Sequence, residues 1–306
     1  ADANESCTQC HNENTTLKAK MVQFAESTHA LGTYYTRGGE CAACHSNEGF
    51  LARMSYSSLS ELSTFVAEEN TPISCYTCHN IHANGDASDL SLTFTAQVTG
   101  SILGFTSPDI SQTTFPNYGD GNLCLQCHQS RDRGNIPGLE STADVTLNGH
   151  WGPHYGAQGE ILVSAGAVEF GTGYPAIGSG HGAISDACIS CHMVNGDHRM
   201  TVDYDACVTC HTAGDAEDKT DAIQIEIHDQ LFTLGAALEG LGAMEAEYDT
   251  DGVTVIGYSP LGVTVSADIA KLVWNYELVY SDHSLGVHNP TYVRAILTNS
   301  LAQLAK

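Results

Sequence analysis

Basic residues are scarce in this chain: 11 Lys and Arg stand against 36 Asp and Glu among 306 residues, a formal charge of −25. Nucleic acid needs a cationic face for its phosphates, and anionic lipid needs the same, so the composition excludes both as expected partners. The charge leaves a basic protein, a mineral surface or another copy of the chain as partners. Long apolar runs are also missing, and no segment has the length needed to span a bilayer. There is no initiator Met; the chain starts at Ala1-Asp2-Ala3, which reads as the end left when an export signal is removed. The expected location is therefore extracellular or at the cell surface, with the periplasm as the alternative. With 42% hydrophobic residues the chain is expected to fold rather than remain disordered. Two sequons, at Asn4 and Asn14, read as ordinary polar residues of an exposed N-terminal segment.

No cysteine is left over. The twelve fall into six C-x-x-C pairs, each followed at once by His. They are Cys7 and Cys10 with His11, Cys41 and Cys44 with His45, and Cys75 and Cys78 with His79. Then come Cys124 and Cys127 with His128, Cys188 and Cys191 with His192, and Cys207 and Cys210 with His211. In an exported chain an even count first suggests disulfides, and C-x-x-C alone also builds zinc knuckles and thioredoxin-like redox pairs. Neither rival requires His at the next position six times over. Two thiols three positions apart can each form a thioether to one vinyl group of a single haem, and the adjacent imidazole then binds the iron as proximal ligand. The expected cofactor is thus haem c, six per chain. Such loading replaces much of an aliphatic core with porphyrin, which accommodates 30 Gly and long polar loops.

An electron wire fills the sixth iron position with protein at every haem, whereas a catalyst leaves one open. Nine further histidines are present: His29, His82, His150, His154, His181, His198, His228, His283 and His288. Methionine is the other available cap, but there are only five, and Met193 reads as packing. Several histidines stand in recognisable surroundings: Phe24-Ala25-Glu26-Ser27-Thr28-His29-Ala30, Cys78-His79-Asn80-Ile81-His82, His154-Tyr155-Gly156-Ala157-Gln158, His181 ahead of Cys188, Asp197-His198 after His192-Met193, and Gly286-Val287-His288-Asn289-Pro290. In these motifs the chain resembles the multihaem c-type cytochromes secreted by metal-reducing and syntrophic microbes, including those that polymerise into extracellular cytochrome nanowires. The resemblance implies that His29, His82, His154, His181, His198 and His288 are distal ligands, one for each of six irons. His82 lies too near His79 to reach the far face of the same iron and is expected to serve a neighbouring haem. His228 reads as a surface or core-edge residue and His283 as a solvated loop residue.

The resulting fold class is a mostly irregular, loop-rich multihaem cytochrome with several α-helices, a minor β-hairpin and a haem-packed core. Two regions are expected. Residues 1–219 hold the six motifs, and residues 220–306 form a haem-free helical region with a hairpin that lends His288. Helices are predicted over 15–31, 58–69, 221–246, 267–281 and 290–304, the third from Ile223, Ile227, Leu231, Leu234, Leu238 and Leu241 at helical spacing. Alternation from Leu90 to Val98 predicts a strand, residues 130–187 a long Gly-rich loop over the haems, and Gly252–Val255 with Gly262–Val265 a hairpin. Asp249-Thr250-Asp251-Gly252 reads as a turn rather than a calcium loop.

The function this supports is extracellular electron transfer without catalysis, as a filament subunit that assembles head to tail with itself and exchanges electrons with redox partners and extracellular acceptors. One distal ligand, with His29 as the choice, is expected to cross between subunits. Two alternatives stand: a reductase of nitrite, hydroxylamine or a sulfur oxyanion using His150, Tyr155 and Arg131 or Arg133 at an open iron, and a periplasmic shuttle.

Overall fold

The computed structural model describes residues 15–55, 59–65, 69–84, 87–98, 115–130, 136–212 and 214–306. The first expected haem site, with Cys7 and Cys10 as anchors and His11 as proximal ligand, lies outside the described residues. So do the sequons at Asn4 and Asn14, and Arg131 and Arg133. In chain order the helices are α1 (Thr15–Ala25), α2 (Thr28–Leu31), α3 (Ala42–His45), α4 (Asn47–Arg53), α5 (Cys75–Cys78), α6 (Asn122–Leu125), α7 (Gln158–Leu162), α8 (Ala187–His192), α9 (Asp215–Gly240), α10 (Ala267–Asp282) and α11 (Pro290–Leu304), joined by short 3₁₀ turns. The strands are β1 (Val145–Thr146), β2 (Met244–Tyr248), β3 (Val255–Pro260) and β4 (Thr264–Val265). They form two small antiparallel sheets, β1 with β4 and β2 with β3. Helices, loops and two minor sheets are the fold class expected of the sequence.

By compactness the chain divides into two units. The first combines Ala1–Gln97, Asn117–Cys127 and Ser185–Ala213; the second combines Val98–Pro116, His128–Ile184 and Gly214–Lys306. This division runs differently from one at residue 219/220, because 128–184 joins the C-terminal helices.

The second unit carries the large apolar cluster. Ile223, Ile227, Leu231, Leu234 and Leu238 form the buried stripe of α9, packed with α10 and α11. Three acidic residues in the first turn of α9 suit the positive end of its dipole. A Cβ at Gly235 would overlap the Tyr258 ring, so glycine lets β3 lie close on this helix. Residues 136–184 are core rather than drapery: Trp151, Ile161, Val163, Val168 and Phe170 are buried. Their backbone is held by side chains of the terminal helices. Trp274 Nε1 donates to Gly166 O at 2.8 Å, and Asn275 both accepts from Val168 N and donates to Val168 O. Gly-rich loop chemistry misled because the partners that order this segment lie about a hundred residues downstream.

Four further expectations change. The helix predicted over 15–31 breaks at Ser27, whose hydroxyl accepts from Ala30 N and starts α2. That over 58–69 is only the 3₁₀ turn Leu59–Leu62 among the described residues. The Leu90–Val98 strand is an irregular segment that pairs with the third motif at one bridge, His79 with Leu92. The hairpin is formed instead by β2 and β3 around Asp249–Thr254, where Asp251 Oδ1 accepts from Val253 N and Thr254 N. Thr264 and Val265 pair with Thr146 and Val145.

Candidate functional site

Each C-x-x-C-H motif among the described residues sits on one tight helical turn. Cys75–Cys78 is a single turn of α-helix begun by a capping box between Ser74 and Thr77. The fourth and sixth motifs close the same span by Cys127 N to Cys124 O at 3.2 Å and Cys210 N to Cys207 O at 3.1 Å. Residues three apart on a helical turn share a face, so both thiols of a pair project the same way. The ten described cysteines form no disulfide. The remaining two, Cys7 and Cys10, lie outside the described residues, so the first attachment site stays an expectation of the sequence. Among the described residues no three His, Cys, Asp or Glu converge as a metal cluster, which a structural zinc site needs.

The thiols of different motifs meet within the first unit. Cys124 hydrogen-bonds Cys188 and Cys127 hydrogen-bonds Cys44, while Cys78 feels Cys124 and Cys191 feels Cys207. The second to sixth motifs are thus linked, with the fourth at the centre. Burial, reinforced by these neighbouring thiols, pushes Cys78 up to about 12. A thiol so held is no thiolate nucleophile at neutral pH, against the redox-pair alternative. Among the described residues of this unit, the buried apolar ones are few (Phe50, Leu62, Tyr118 and Leu125, with small alanines), and Arg53, Asn122 and Gln126 are buried as well. Arg53 donates to Gln126 O and, at 2.8 Å, to Gln126 Oε1, tying α4 to the fourth motif. A unit with so little apolar filling and so many paired thiols fits a large planar apolar group.

The histidines show a shared pattern at Nδ1. His79 is bonded to Leu90 O (2.7 Å), His192 to Met200 O (3.1 Å), His181 to Val287 O (2.8 Å), His198 to Gly196 O (2.8 Å) and His128 to Gln158 Oε1 (3.3 Å). His288 meets the buried Asp282 carboxylate. An acceptor at Nδ1 places the proton there and makes Nε2 the metal-binding nitrogen. Burial lowers the basicity of His288 and the Asp282 carboxylate raises it, and the carboxylate prevails. Asn289 caps α11 by accepting from Tyr292 N, with Pro290 following.

His29 lines one cavity with Cys44 and His45 of its own chain. Burial lowers its basicity and favours the neutral form that binds metal. His154 and His82 both take positive φ, at 60° and 63°, and pack edge-on or tilted against Tyr155 and Tyr76. His150 is exposed, and so is His228, stacked on Phe232 at 4.1 Å. His283 is exposed at the C-terminus of α10, with its ring parallel to that of Tyr155. His11, like Cys7 and Cys10 of the same motif, lies outside the described residues, and His211 N bonds Cys207 O. Sequence reasoning missed Asp282, Gln158 and Met200 as partners of these histidines, because no local spacing marks a carboxylate, amide or carbonyl as a histidine acceptor.

No helix among the described residues is long and apolar enough to cross a membrane. No family model matches the chain, and no curated protein matches it in sequence. Among solved structures, the fold is similar to the crystal structure of the outer cell wall cytochrome OcwA, with a TM-score of 0.51 and 19% sequence identity over 92% of this chain. The alignment takes in 49% of that protein, so the chain spans about half its length. At that identity the likeness concerns fold.

Proposed function

We propose that the protein is a multihaem c-type cytochrome that conducts electrons outside the cytoplasm. The observation that carries this reading is the set of six C-x-x-C-H motifs, with the described ones each on a helical turn and linked through their thiols. When bound, the haems supply one-electron carriers. The cysteines anchor them, the motif histidines act as proximal ligands, and His29, His82, His154, His181, His198 and His288 cap the far faces. Full bis-histidine capping closes every iron to substrate and keeps the potentials comparatively low. OcwA is an outer cell wall cytochrome, and we assign this chain the same kind of location.

The filament reading rests on charge and family resemblance. At −25 the copies repel one another, so a non-closing head-to-tail interface needs a strong local bond to hold it. A distal histidine donated across the junction supplies it, with His29 as the choice. The deciding experiment is the intact mass of the purified protein under denaturing conditions, which is expected to exceed that of the polypeptide by six haems. A bare polypeptide mass overturns the function. Electron microscopy of the same sample tests assembly separately: filaments support it, and single particles across salt and pH overturn assembly alone.

A further inference from the structure

We propose that His79 and His198 are the two axial ligands of one haem, the one attached at Cys75 and Cys78. The inference rests on the cytochrome reading above and goes beyond it by pairing a distal histidine with an iron. The two rings lie in the same unit with centroids 6.1 Å apart and planes 28° apart. With about 2.0 Å from nitrogen to metal and about 1.1 Å from ring centre to nitrogen, two imidazoles trans across one metal stand about 6.2 Å apart. The observed spacing is the one a shared iron requires.

The hydrogen bonds agree. Each ring is held at Nδ1 by a backbone carbonyl, Leu90 O for His79 and Gly196 O for His198. Each therefore offers Nε2 as the ligand nitrogen. Both are carried on fixed backbone. Around His79, Asn80 N bonds Ser91 O and Thr93 N bonds Cys78 O. The loop bearing His198 is tied to α1: Gln23 Oε1 accepts from His198 N at 3.2 Å, and Lys20 Nζ donates to Asn195 O and Gly196 O. His82, three residues past His79 and too near it to reach the far face of the same iron, is exposed, takes positive φ and lies edge-on to Tyr76.

The pairing has a consequence for connectivity. Residues 192–200 then carry the proximal ligand of the fifth haem and the distal ligand of the third, and Met200 O holds His192 from the end of the same loop. The third and fifth haems become neighbours through this loop.

The test uses His198→Ala in the holoprotein, read by electron paramagnetic resonance and by carbon monoxide binding to the reduced form. The expected result is six attached haems with one high-spin iron, and loss of that signal when the substitution is repeated on a background carrying Cys75→Ser and Cys78→Ser. Six low-spin irons in His198→Ala overturn the pairing, as does a high-spin iron that persists on the background lacking the third haem. Should His198→Ala not accumulate, His198→Met keeps a ligand in place. One haem of six is then expected to move to higher potential, and an unchanged set of potentials overturns the pairing. A wild-type mass without haem overturns the cytochrome reading itself and is distinguishable from these outcomes.

Discussion

Asp282 Oδ1 lies 2.5 Å from Nδ1 of His288, at the point where α10 ends and the turn into α11 begins. The carboxylate is buried and also accepts from the Ser284 hydroxyl, so it stays where the imidazole needs it. A carboxylate behind a metal-binding histidine orients the ring and raises its basicity. His288 is thereby the most strongly supported distal candidate of the second unit.

Replacing Asp282 with Asn removes that charge and keeps the shape. One haem is expected to rise in potential by roughly 60 mV if the carboxylate contributes about 1.4 kcal/mol to the oxidised state. Spectroelectrochemical titration reads it, and six unshifted midpoints would show that His288 does not ligate iron.

His29→Ala is expected to leave six haems attached, turn one iron high-spin and shorten or abolish filaments. Mass, electron paramagnetic resonance and light scattering together check it. An unchanged assembly state on substitution would show that His29 does not cross between subunits.

Burial pushes the Glu160 carboxyl up to about 7, against the lowering effect of its bond from Ser130 N. The raised value means that the folded state binds the proton more tightly than the unfolded chain. This contribution is fully present below about pH 4.5 and is lost as pH rises to about 7. Compared with Glu160→Gln, the wild type is expected to lose about 3 kcal/mol across that window. Denaturant unfolding of both proteins at several pH values measures it; a constant difference contradicts the assignment.

Gly49→Ala should destabilise the second motif although alanine is the better helix former. Its Cβ would overlap Ala42 on α3, and the overlap outweighs the helix-propensity gain of up to about 1 kcal/mol. A net loss of about 1–3 kcal/mol is expected. Thermal unfolding followed at the haem absorption band checks it, and an unchanged or raised midpoint would mean that α3 and α4 pack less closely.

Covalent haem attachment demands two thiols and an imidazole within one turn of chain, so the six proposed attachment motifs were readable wherever they fell. The same locality made α9, α10 and α11 legible, since a buried stripe repeats at helical spacing within each. Other elements depended on distant partners. Residues 136–184 became core only because Trp274, Asn275 and Tyr292 supply their hydrogen bonds. Thr264 and Val265 found β1 instead of the nearer Gly252–Val255. The surroundings of each candidate distal histidine likewise belong to tertiary structure: His79 lies beside His198, and His29 lines a cavity with His45, by folding rather than by spacing. Chain chemistry determined how many haems are expected and where each is anchored. Packing decided which imidazoles face one another, because an axial pair is a distance in space and leaves no period in the sequence.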